Sequence, residues 1–117
     1  MRIVLAALLT LHGIAHLVGF IGSWQLDSSG GIPYKTTVLA GHVNVGDAGV
    51  RALGVLWLVT AIAFVVTAAG AALGMQWWAK AVAVVATLSL ALTIVQWPEA
   101  RVGLFVNVGI LIALGFV

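Results

Sequence analysis

Apolar positions dominate four stretches of the chain, and polar positions gather between them. A bilayer's hydrocarbon core is about 30 Å thick and a helix rises about 1.5 Å per residue, so a span needs about 20 mostly apolar residues. Stretches 3–22, 48–69, 77–96 and 99–117 qualify. Residues 70–75 read as a tight turn. Trp97-Pro98 separates the last two stretches, with proline suited to a first helical turn and Glu99 to a helix N-terminus. Short connections force antiparallel neighbours. The pattern therefore predicts an all-α, integral membrane four-helix bundle, one domain over 1–117, with both termini on the same side.

The connection 23–47 is different. Loops beyond about 12–15 residues usually carry structure or function of their own. This one opens on Asp27-Ser28-Ser29-Gly30-Gly31-Ile32-Pro33, a turn signal. It then alternates His42 and Asn44 with Val43 and Val45, the pattern of a short extended piece with one apolar side. It is expected to fold over one mouth of the bundle.

Composition sharpens the membrane reading. Hydrophobic residues make up 63% and charged residues 7%, against about 45–50% and about 25% in soluble domains. Five basic and three acidic side chains cannot cover a water-facing surface. The net charge of +2 comes with no basic cluster, which argues against nucleic acid as a partner. The chain has no cysteine, which excludes thiol redox chemistry, disulfides and cysteine-based metal sites. Arg2 before an apolar run imitates a signal peptide. That run is too long, carries two histidines and meets no small-x-small site before Trp24, so it is expected to stay as a helix.

Tryptophans fall where interfacial belts belong, Trp24 and Trp97 at one side and Trp77 and Trp78 at the other. Trp57 sits halfway along the second span, as a packing side chain or a ligand-stacking one. Basic residues are too evenly divided to orient the chain by count: Arg2 and Lys80 lie on the terminal side, Lys35, Arg51 and Arg101 on the loop side. Because the first helix often dominates, cytoplasmic termini are expected. No internal repeat suggests an inverted-repeat transporter. Ala15 and Gly19, then Ala79, Ala83 and Ala86, then Gly103 and Gly109 mark expected helix contacts, since helices in lipid associate by close backbone approach. The lipid-facing perimeter is large for one bundle, so a homo-oligomer or a larger membrane complex is expected.

Candidate chemistry lies in the first third. His12 and His16 form an i,i+4 pair on one helix face, and His42 lies in the loop near Asn44 and Asp47. Ionisable residues inside a membrane usually face the bundle interior and default to a functional role. Two imidazoles at this spacing suit zinc or copper, with His42 or Asp47 completing the shell. The glutamate of the zinc-protease helix is missing. For haem, both rings leave one helix face, so a second axial ligand must come from His42 or another subunit. A proton or quinone site also fits. Against all of these stands a structural role, in which neutral histidines bond a backbone carbonyl or Asn107 of a neighbouring helix. Asp47 fits an N-cap of the second helix, in ion-pair register with Arg51. Asn107 is expected to bond across helices, and Glu99 and Arg101 to anchor at the interface. Tyr34 and Lys35 are open between ligand contact and solvated loop.

The strings HGIAHLVGF (12–20), LGVLWLVTAIAF (53–64) and WPEARVGLFVN (97–107) together resemble a group of small bacterial four-helix membrane proteins, often labelled hypothetical or permease. In size and layout the chain is also similar to DoxX-like membrane proteins. The resemblance implies the fold and offers no catalytic motif to carry over. Two functions are expected to compete: a histidine-based metal or haem site under the first loop, holding His12, His16, His42 and Asp47, and an accessory subunit packed against a larger membrane complex.

Overall fold

The computed structural model describes residues 1–115. Among them, four helices form in chain order: α1 (Arg2–Ser23), α2 (Gly46–Ala72), α3 (Trp78–Val95) and α4 (Arg101–Leu114). Between α1 and α2 lie two short strands, β1 (Thr37–Val38) and β2 (Val43–Asn44). The first three helices are long and apolar enough to cross a membrane. Helix α4 has 14 described residues, about 21 Å of rise. It starts two residues later than the sequence pattern suggests, because residues 97–100 turn: the Arg101 N–H donates to the Pro98 carbonyl at 3.2 Å. The end of the expected fourth span, at 116–117, lies outside the described residues.

Helices α1 and α2 share the most extensive interface, and α3 packs against α2 and α4. Close approach is set by glycines. At Gly13 an added Cβ would stand 2.8 Å from the Phe64 Cβ and 3.0 Å from the Ala61 carbonyl oxygen. Gly54 meets Ser23 and Trp24 in the same way, and Gly19 lies against the Trp57 indole. The expected small-residue contacts are therefore partly redistributed. Ala15 is exposed and Gly109 has open space beside it, whereas Ala86 is fully buried.

One half of the bundle is packed apolar. Leu9, Phe64, Ala68, Val82, Ala86 and Ile110 meet there, from the start of α1, the end of α2, the start of α3 and the end of α4. The α2–α3 turn closes this half through paired carbonyl caps. The Met75 N–H donates to the Gly70 carbonyl at 2.9 Å and the Gly74 N–H to that of Ala71 at 3.2 Å. This geometry needs a left-handed residue, and Gly74 supplies it at φ +70°. The end of α1 closes the same way, by Leu26 N–H to Ile21 and Gln25 N–H to Gly22, but with a glutamine in the left-handed position at φ +53°.

The loop 23–47 then runs back over the ends of α1 and α3. Asp27 organises its start by accepting from the N–H groups of Ser29 (3.0 Å) and Ile32 (2.8 Å) and from the Ser29 hydroxyl (2.6 Å). These bonds hold its carboxyl below the usual carboxylate range. Ile32 reaches Gly22, where a Cβ would stand 2.8 Å from its methyl group. The strands pair antiparallel, Thr37 with Asn44 and Val38 with Val43. The extended pattern at 42–45 does form a strand, but Val43 is exposed and the buried valine is Val38 on the partner. The tip is tied to the end of α3, Leu39 N–H to Val95 at 2.7 Å and Ala40 N–H to Trp97 at 3.0 Å.

Asp47 is not the N-cap of α2. That position is Val45, and the Asn44 side chain accepts the Gly46 N–H at 2.9 Å. Asp47 sits in the first turn and accepts the Tyr34 hydroxyl instead. Arg51 lies over the Trp24 ring, 5.5 Å from its centroid, and its carbonyl accepts the Trp24 indole N–H at 3.1 Å. Among the described residues the one ion pair is Lys35–Glu99 at 2.7 Å.

Candidate functional site

Above the apolar half lies a polar layer built from three helices. His12 and His16 are one turn apart on α1, so both rings leave the same face, and α2 closes over them. Their centroids are 4.6 Å apart and edge to face. Phe64 stands 4.9 Å from His12 and 5.0 Å from His16, and Trp57 stands 5.0 Å from His16. From the other side come Ser89 of α3 and Asn107 of α4, both fully buried.

These four side chains form a closed hydrogen-bonded circuit whose direction is fixed by one atom. His16 Nδ1 lies 2.7 Å from the His12 carbonyl oxygen, which only accepts, so Nδ1 carries the hydrogen. An imidazolium at this depth has no carboxylate among the described residues to offset it. The chain's three acidic residues are engaged elsewhere, Asp27 with Ser29, Asp47 with Tyr34 and Glu99 with Lys35. Neutral His16 therefore presents Nε2 as an acceptor, and the Ser89 hydroxyl donates to it at 2.5 Å. Ser89 Oγ in turn accepts from Asn107 Nδ2 at 2.7 Å, which leaves Asn107 Oδ1 to accept from His12 Nε2 at 2.9 Å. Every polar side-chain atom of the circuit except His12 Nδ1 has a partner. Such a network joins α1, α3 and α4 where the apolar packing around it offers no other partner.

A cavity of about 690 Å³ opens beside this circuit. Helix α1 forms one wall and the first half of α4 the other, with the end of α3 and the loop above. Its polar groups divide by depth. His12, His16, Trp57 and Thr93 lie within the bundle, and Lys35, Thr37, Gln96 and Glu99 lie at the loop end. The rest of the wall is apolar, including Leu11, Ala15, Val18, Val102 and Val106. Gly103 keeps the α4 wall open: a Cβ there would stand 3.1 Å from the Thr93 methyl and 4.0 Å from His12 Cε1.

Two atoms of this wall are left with unused hydrogen-bonding capacity. Trp57 is 6% exposed, and its indole N–H is buried with no partner among the described residues. His12 uses only Nε2. Its Nδ1 makes no hydrogen bond among the described residues, yet it is not a sealed atom.

The site residues expected from the sequence divide sharply. His12 and His16 are brought together, buried, and line the cavity. His42 is not with them. It is exposed at the turn between β1 and β2, where its N–H bonds the Leu39 carbonyl at 3.1 Å. Asp47 is exposed and bonded to Tyr34. Among the described residues no three His, Cys, Asp or Glu side chains are placed to hold a metal ion. The reason is local: both His16 nitrogens and one of His12 are already committed, so the i,i+4 pair turns its donors toward protein partners. Ser89, Thr93 and Glu99 complete the site without having been expected there, while Lys35, open in the sequence between ligand contact and solvated loop, pairs with Glu99 at the loop end. A serine and a threonine four apart in the third span were the available signal.

No protein-family model, curated protein or solved structure matches the chain.

Proposed function

We propose that the protein is a multi-pass protein of the bacterial plasma membrane, with cytoplasmic termini, that binds a small lipophilic molecule in the cavity between α1 and α4. The observation that carries this is the cavity itself. At about 690 Å³ it has the size of a small-molecule site. Its wall is mostly apolar, with a few polar groups converging at one depth, which is how such sites fix an apolar ligand's orientation. Outside it, α1 presents Ile3, Val4 and Ile14 more than half exposed, and α2 presents Val59, Ile62 and Val66 about half exposed. Water does not tolerate so continuous an apolar surface, whereas acyl chains do. Since α1 and α4 scarcely touch, a ligand dissolved in the bilayer reaches the cavity sideways, between Leu11 and Val106.

This reading replaces zinc, copper or haem at His12, His16, His42 and Asp47 with a neutral organic ligand at His12, His16 and Trp57. A metal held by both imidazoles would have to break the Ser89–His16 bond, since only His12 Nδ1 is free to ligate.

Trp57 makes the test direct. In a variant with Trp24, Trp77, Trp78 and Trp97 changed to Phe, a bromoalkylphenol in liposomes should quench the remaining indole saturably. Gly103→Leu, which fills the cavity, should abolish the saturable part. Quenching that rises linearly with probe and ignores Gly103→Leu would remove the proposal.

A second reading is favoured by the same open seam. A transmembrane helix of a second copy or of a larger membrane complex would close α1 against α4, covering Val102 and Phe105, which are 71% and 65% exposed. Cysteine crosslinking at position 102 in native membranes separates the two, because a partner there gives a discrete larger band and a free ligand does not.

A further inference from the structure

The direction of the hydrogen-bonded circuit determines what the cavity can recognise. Because His16 Nδ1 must donate to a carbonyl, Ser89 must donate to His16, Asn107 to Ser89, and His12 Nε2 to Asn107. Neutral His12 therefore carries its hydrogen on Nε2 and a bare lone pair on Nδ1. That nitrogen belongs to a cavity-lining side chain, is not sealed, and has no partner among the described residues. It can only accept.

We propose that the ligand carries a hydroxyl, as a lipophilic phenol or alcohol, and that this hydroxyl donates its hydrogen to His12 Nδ1. The inference rests on the cavity-ligand reading above and adds the chemical class. Ketones, quinones, esters and ethers present only lone pairs, which face the lone pair of Nδ1 and gain nothing there. Charged ligands are disfavoured at this depth, since the charged residues lining the cavity among those described, Lys35 and Glu99, lie at its loop end. The pair Lys35–Glu99 sits at the loop end and neutralises itself.

The specificity is set by a residue that does not line the cavity. Asn107 touches His12 only through Nε2, on the side turned to α3 and α4. It acts as a positioning residue. Its Oδ1 holds the hydrogen on Nε2 and so keeps Nδ1 an acceptor. Removing it lets His12 exchange tautomers and blurs the preference.

Matched probes test this in the detergent-solubilised full chain: a dodecylphenol, its methyl ether and dodecylbenzene, each titrated by competition against the bromoalkylphenol on the Trp57-only variant. The phenol should bind about fivefold to tenfold more tightly than the ether, the worth of one net hydrogen bond. His12→Phe should reduce that ratio to about one while the ether's own affinity holds within about twofold. Asn107→Leu should shrink the ratio with His12 still in place, so the outcome does not depend on a single variant folding. Equal binding of phenol and ether, both lost in Gly103→Leu, would overturn the hydroxyl assignment and leave the cavity reading standing. A phenol preference untouched in both variants would also overturn it, by moving the hydroxyl to another group. Absence of any saturable binding would overturn both readings together.

Discussion

His12 Nε2 donates to Asn107 Oδ1 across 2.9 Å, linking the first helix to the last through a bond that is fully enclosed. Helices α1 and α4 meet hardly anywhere else, so this contact and its continuation through Ser89 set the width of the cavity between them.

The circuit should behave as a unit. Ser89→Ala strands the His16 Nε2 acceptor and the Asn107 Nδ2 donor together, and should cost about 1–2 kcal/mol. Asn107→Ala should cost a similar amount. The double variant should cost clearly less than their sum, because the second change removes groups already unpaired. Equilibrium unfolding of the four proteins in mixed micelles measures the coupling, and strict additivity would contradict the circuit.

Two glycines of similar sequence appearance should respond oppositely to the same change. Gly13→Ala drives a methyl against the Phe64 Cβ and the Ala61 carbonyl, so α1 and α2 must part, at about 1–3 kcal/mol. Gly109→Ala meets nothing within 4 Å and should be neutral or slightly stabilising through helix propensity. Thermal midpoints of the two variants decide this.

The end of α1 stores a small strain. Gln25 holds a left-handed conformation at φ +53°, which costs a side-chain-bearing residue about 1–2 kcal/mol. Glycine relieves that but frees the unfolded chain by about 0.5–1 kcal/mol. Gln25→Gly should therefore stabilise by up to about 1.5 kcal/mol, seen as a higher thermal midpoint with unchanged ligand binding.

The clasp at the cavity mouth should depend on acid. The hydrogen bond from Lys35 holds the Glu99 carboxyl below its ordinary value of 4.5. A depressed acid contributes stability that is fully present above the ordinary value and is lost as pH falls through the lowered one. Both partners are about half exposed, so the contribution should stay under about 1 kcal/mol. The thermal midpoint of the wild type should fall relative to Glu99→Gln as pH drops below about 4.5, and the two should run parallel between pH 6 and 8. Parallel curves throughout would remove the clasp.

The helices were legible in the sequence because apolar runs of that length have one economical structure. Stretch 3–22 became Arg2–Ser23 and 77–96 became Trp78–Val95. The exit from α1 was not, since its left-handed residue is Gln25 and no glycine announces it. Of the site, the histidine pair and the cross-helix role of Asn107 were readable, because a polar side chain mid-span has few places to go. His42 and Asp47 were misleading. Closeness in sequence to the mouth of the bundle suggested a shared site, but a hairpin turn carries His42 outward and Tyr34 takes Asp47. The cavity had no sequence signature at all. It arises because α1 and α4 are held apart at the circuit while Gly103 removes the side chain that would have filled the space.

The central claim is that a lipophilic ligand sits between α1 and α4 against His12, and photolabelling in native membranes tests it most directly. An alkylphenol carrying a diazirine should label positions 11, 15, 102 and 106, and excess unlabelled dodecylphenol should protect them. Labelling spread over the outward-facing Val59, Ile62 and Val66 of α2, with no protection by the competitor, would contradict it.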